Sequence, residues 1–110
     1  MRKSHTAVIE RNKVWTSSFE TEPYEAAWAS EAIFFVRILE ASGLNSQSSA
    51  AVHISPDGMN WCSEGTNLDL GDGPGIVFAR VEKFGAYLRL AGKLPDGTEL
   101  KVIVYLVLKE

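Results

Sequence analysis

"LKVIVYLVLK", residues 100–109, is apolar on both sides of an extended chain. With side chains alternating at a period of two, Leu100, Val102, Val104, Leu106 and Leu108 share one face of a strand. Ile103, Tyr105 and Val107 share the other, with Lys101 and Lys109 at its ends. "AIFFVRIL", residues 32–39, behaves in the same way: Phe34, Val36 and Ile38 lie on one face, and Ile33, Phe35, Arg37 and Leu39 on the other. Strands apolar on both faces need cover on both. A small two-layer sandwich covers only one, so a second copy of the chain is expected over the other. Ile103, Tyr105, Val107 and Arg37 are the residues expected at that interface.

Outward from these two segments the chain has the punctuation of an all-β protein. Strands are expected at about 6–10, 13–20, 31–41, 48–55, 59–64, 76–83, 86–92 and 98–109. Between them lie the turn-rich clusters "TEPYE" (21–25), "SGLNSQ" (42–47), "SPDG" (55–58), "TNLDLGDGPG" (66–75) and "LPDG" (94–97). "YEAAWASEA" (24–32) lacks the apolar stripe of a helix. About eight short strands in this length predict an antiparallel two-sheet β-sandwich of jelly-roll type. In each "PDG", proline presets the first turn position and glycine takes a left-handed conformation. Pro56-Asp57-Gly58 and Pro95-Asp96-Gly97 are therefore each expected to join two antiparallel neighbours.

Composition narrows the class. The 110 residues fit one domain, 1–110, with residues 1–5 expected as a flexible end. A net charge of −3 gives no case for nucleic acid or an anionic membrane as partner. Cys62 is the only cysteine, so an intramolecular disulfide is impossible. "MRKSHTAVIERNK" (1–13) has no apolar core followed by a small-residue cleavage site. Synthesis in the cytoplasm without a signal peptide is the expectation.

Catalytic chemistry finds little to work with. Cys62 follows Trp61 on a strand, with no glycine-rich elbow to lower its pKa. Only His5 and His53 could act as bases, and His53 should point out from the core opposite Val52 and Ile54. No catalytic, metal or cofactor residue is assigned, and the chain is expected not to be an enzyme. Asn67, Asp69 and Asp72 offer oxygen ligands, but their spacing lacks the ladder and terminal glutamate of an EF-hand loop. Arg37, Arg80 and Arg89 fall on strands, and Tyr87 and Arg89 share a face of "AYLRL" (86–90). An arginine beside a tyrosine is the composition of contact surfaces, which adds Tyr87 and Arg89 to the expected interface. Trp61, just past a turn, is expected to plug the sandwich core.

"VHISPDGMNW" (52–61), "VFARVEKFGAYLRL" (77–90) and "KVIVYLVLK" (101–109) form a pattern of strand, corner with tryptophan, loop, strand pair and closing strand. Over about residues 50–90 it resembles discoidin-type domains of the galactose-binding-like fold. Those domains are longer, usually carry a terminal disulfide and bind through spike loops, so their ligand residues do not transfer. From Tyr24 to Leu108 the chain is similar to small β-sandwich proteins of phage virions, including decoration (cement) proteins. That resemblance implies a homo-oligomer, a trimer by preference, set on a capsid or tail protein. The expected function is thus a non-enzymatic structural component of a virus-like particle. The alternative is a small carbohydrate- or surface-binding module of the galactose-binding-like type, with contacts from Trp61, Tyr87, Arg89 and the 66–75 loop, and with Trp61, Asn67, Asp69 and Asp72 as the possible ligand loop.

Overall fold

A computed structural model describes residues 3–44 and 48–110. They form an all-β, antiparallel two-sheet sandwich of nine strands. These are β1 (Ser4–Thr16), β2 (Ser18–Glu20), β3 (Tyr24–Glu25), β4 (Glu31–Ser42), β5 (Ser49–Ser55), β6 (Cys62–Asp69), β7 (Gly75–Glu82), β8 (Tyr87–Lys93) and β9 (Glu99–Lys109). The first sheet has the order β1-β9-β4-β7. The second has the order β2-β8-β5-β6, with β3 also pairing β8. Among the described strands, only β5 and β6 are both consecutive and hydrogen-bonded to each other.

The two strands quoted first are the centre of the first sheet. Leu100, Val102, Val104, Leu106 and Leu108 of β9 are all buried, as are Ala32, Phe34, Val36 and Ile38 of β4. They meet Val52, Leu68, Leu88 and Leu90 from the second sheet in one core. Trp15, 1% exposed, stacks on Phe19 with ring centroids 4.0 Å apart, and together they close the core where the chain passes between sheets.

Several local expectations are corrected. The stretches expected as strands at 6–10 and 13–20 divide elsewhere. β1 runs through both on the first sheet, its register shifting between Val8 and Glu10 and between Glu10 and Lys13. Asn12 takes a left-handed φ of 51°, which asparagine tolerates better than most residues, so the chain absorbs the extra residues as a bulge. The break comes at Ser17, φ 45°, where the chain leaves the first sheet for the second. Ser4 and His5, expected in a flexible end, pair with Lys109 and Leu108, whereas residues 1–2 lie outside the described residues. Residues 66–69, expected as loop, extend β6, because Leu68 alternates inward between exposed Asn67 and Asp69. Residues 45–47 of the "SGLNSQ" cluster also lie outside the described residues.

The two "PDG" turns have different fates. Pro56-Asp57-Gly58 sits in the β5–β6 hairpin, with Ile54 opposite Cys62. Pro95-Asp96-Gly97 closes a local turn, Thr98 N–H donating to the Pro95 carbonyl at 3.1 Å. That turn nonetheless carries the chain from β8 of the second sheet to β9 of the first. Its neighbours are therefore not paired strands, and the expected hairpin there is wrong. Turn chemistry dictates reversal of the chain; which sheet receives it is a matter of packing.

Gly92, on β8 between β2 and β5, shows how closely the strands of the second sheet fit. A Cβ there would lie 2.7 Å from Phe19 Cζ and 2.9 Å from the Ser49 carbonyl oxygen. Gly92→Ala is expected to destabilise the fold by about 1–3 kcal/mol through overpacking. A urea melt checks this, and an unchanged midpoint would mean that β2 and β5 yield freely.

Candidate functional site

Each sheet turns an outer face to its surroundings, and the two faces differ in chemistry. On the first sheet, residues directly opposite one another in the register form rows across the strands. Phe78, Phe35, Tyr105 and Val8 make one row; Arg80, Ile33, Val107 and Thr6 make the next. Ile76, Arg37 and Ile103 make a third. Ile103, Tyr105 and Val107 are half-buried within the chain, while Arg37 is exposed. At the edges, Ile76, Phe78, Val8 and Val14 keep 40–60% of their surface exposed. Arg80 folds over the Phe78 ring at 4.9 Å, and Phe35 and Phe78 rings tilt together at 6.0 Å. Both signs of charge stand at the ends of this face: Glu31 beside Lys109 and Glu82 at one end, Glu40 beside Lys101 at the other.

The second sheet's outer face is polar and organised around Arg89. Arg89 and His53 are register partners on β8 and β5, and His53 in turn faces Ser63 of β6. The Arg89 Nη1 pairs with Glu20 Oε2 at 2.9 Å, and Nη2 lies 3.3 Å from His53 Nδ1. Trp61 lies over the guanidinium, its ring centroid 4.3 Å from Cζ. Desolvation by burial, and then the Arg89 charge, hold the His53 pKa below its ordinary value, with Glu20 partly opposing. His53 points out from the core, as its alternation requires. Trp61 does not plug the core as expected: it is half-buried and covers the arginine. Trp61 lies outside β6, which begins at Cys62, so the in/out alternation of the strand does not commit it to the core.

That loop is held by its own side chains. Ser55 Oγ accepts from Gly58 N–H at 2.8 Å and from Asp57 N–H at 3.2 Å. Asp57 Oδ1 accepts from Met59 N–H and Asn60 N–H, each at 2.8 Å, and Oδ2 from Asn60 Nδ2 at 2.7 Å. The amide of Asn60, followed by that of Met59, holds the Asp57 carboxyl far below the usual carboxylate range. A pKa depressed on folding contributes stability that is full above the unfolded value of about 3.9 and is lost progressively as pH falls from there through the folded value, where the folded loop itself takes up the proton. Amide shifts of Met59 and Asn60 are therefore expected to hold steady from neutral pH to below the ordinary aspartate range. A loop transition near pH 4 would contradict this, and Asp57→Ala is expected to speed amide exchange there several-fold at neutral pH.

The structure thus splits the expected interface set. Ile103, Tyr105, Val107 and Arg37 share the first sheet's face, while Tyr87 and Arg89 lie on the opposite side of the sandwich. It splits the expected ligand loop as well. Trp61 joins Arg89, whereas Asn67 and Asp69 are exposed residues of β6, and Asp69 Oδ1 accepts from Gly71 N–H at 2.8 Å as turn chemistry. Asp72 is exposed in the following turn. Among the described residues, no three His, Cys, Asp or Glu side chains gather as a metal-binding group. Sequence reasoning missed Val8, Val14, Ile76 and Phe78, which fall in stretches expected to be extended but whose edge positions depend on strand order. Glu20 was missed too: it lies 69 residues from Arg89, with no local signal to join them. Models of known protein families and curated protein sequences yield no match to this chain.

Proposed function

We propose that this chain is a non-enzymatic structural protein that self-associates through the outer face of its first sheet. One observation carries the proposal. Of the six large hydrophobic residues that stay exposed among the described residues, Val8, Val14, Ile76 and Phe78 lie on that one face, continuous with half-buried Phe35, Tyr105, Ile103 and Val107. Four strands about 4.8 Å apart, each showing about seven residues at about 3.3 Å, span roughly 19 by 23 Å. The largest apolar patch on a typical soluble protein is about 300–600 Å² and is often functional, and this face is of that size. Charges of both signs at each end make the face complementary to itself. A single self-complementary patch favours a two-fold pair over the trimer expected from the sequence.

The strand orders β1-β9-β4-β7 and β2-β8-β5-β6 support reading the sandwich as a jelly roll, with first and last strands side by side. The resemblance from Tyr24 to Leu108 favours the surface of a virus-like particle as the setting, with the chain as a decoration or minor structural component. Light scattering on the purified chain tests self-association. A mass above the 12.1 kDa of one chain is expected, and that single-chain mass at every concentration would count against it.

A further inference from the structure

The second sheet's outer face holds an arrangement that neither the core nor the first face requires. Arg89 is a mid-strand arginine drawn close to the sheet, its side chain only 16% exposed, and its Nε is buried without a partner among the described residues. Buried polar atoms without partners are rare enough to need a cause. Around Arg89 stand an indole, an imidazole and a carboxylate that remains 66% exposed. Tyr87 lies two residues along on the same face, its ring 3.5 Å from the position of a Gly58 Cβ. The corner that carries Trp61 is fixed by Ser55 and Asp57, so the indole is placed before any ligand arrives.

The charges decide the ligand class. Glu20 cancels Arg89, and the lowered pKa of His53 leaves it neutral at neutral pH. The cluster therefore carries no net charge with which to select an anion. Its Nδ1 facing an arginine donor, His53 keeps its proton on Nε2 and offers it as a donor. Glu20 supplies acceptor oxygens. An aromatic plate flanked by a neutral donor and an acceptor matches a ring with a C–H face and hydroxyls at its rim. We infer that Trp61, Arg89, His53, Glu20 and Tyr87 form a shallow binding site for a neutral saccharide. Trp61 is the stacking plate, Arg89 fixes it from beneath, and His53 and Glu20 hydrogen-bond the hydroxyls.

The test is a titration of the isotope-labelled full chain, followed by NMR. The probes are glucose, galactose, N-acetylglucosamine and their disaccharides cellobiose, lactose and chitobiose, with glucuronate and inorganic phosphate as anionic counterparts. At least one neutral sugar is expected to move the Trp61 indole N–H and the amides of His53, Tyr87 and Arg89, with millimolar affinity. Trp61→Ala should keep the fold and weaken that affinity at least tenfold. Glu20→Gln removes the cancelling charge, so it should shift preference toward glucuronate. No response to any neutral sugar, a response surviving Trp61→Ala, or tighter binding of the anions by the unaltered chain would each overturn the inference. Ile103→Lys, on the opposite face, should leave per-site affinity unchanged, so the saccharide site and self-association can fail separately.

Discussion

Trp15→Ala is expected to unfold a large share of the protein at physiological temperature. Trp15 is 1% exposed and stacks on Phe19 where β1 passes into β2, so its removal opens a cavity shared by both sheets. Deleting a buried tryptophan costs about 3–5 kcal/mol. Against a typical domain stability of about 5–15 kcal/mol, that is a large part of the whole. Trp15→Phe preserves the ring stack and removes an indole nitrogen that has no partner among the described residues. It should therefore cost much less than the alanine change. Trp61→Ala is the informative comparison, because the sequence alone suggests Trp61 as the core tryptophan. Half-buried over Arg89, Trp61 is expected to cost about 1 kcal/mol or less when removed. Urea unfolding followed by circular dichroism ranks the three. An equal loss from Trp15→Ala and Trp61→Ala would contradict the packing described above.

Phe78→Lys and Ile103→Lys are expected to convert the self-associated protein into single chains. Phe78 is 50% exposed on edge strand β7, so a lysine there can reach solvent without disturbing the core. Ile103 lies on β9, one strand in from the other edge, where a lysine tests the interior of the face. Residues at the centre of an interface commonly contribute about 2 kcal/mol or more, which corresponds to a Kd raised about thirtyfold. Association through such a face is driven by apolar burial, so added salt should not dissociate it. Light scattering gives the mass of each variant, and circular dichroism shows that it still folds. If the unaltered chain is already monomeric at high concentration, and Phe78→Lys has the same mass, the proposed assembly surface loses its physical basis.

How much of this was legible in the sequence follows from the range over which each feature is decided. The alternation in "LKVIVYLVLK" and "AIFFVRIL" is local, and it groups Leu100, Val102, Val104 and Leu106 on one face and Phe34 and Val36 on one face, the faces that the structure buries. It also assigned Ile103, Tyr105, Val107 and Arg37 to one outer face, because the period of a strand is two wherever the strand lies. Proline, aspartate and glycine likewise mark both reversals of the chain. Strand order is not local. Nothing near Pro95-Asp96-Gly97 indicates that β8 and β9 belong to different sheets, and nothing near Phe78 indicates an edge. Arg89 and Tyr87 share a face by alternation, yet only the sandwich puts that face opposite Ile103. Glu20 reaches Arg89, and Trp61 covers it, through contacts between segments far apart in the chain. Backbone periodicity is a property of neighbouring residues and can be read from sequence. The choice of which strands pair, and which side chains thereby meet, minimises the exposed apolar surface of the whole chain and exists only once it has folded.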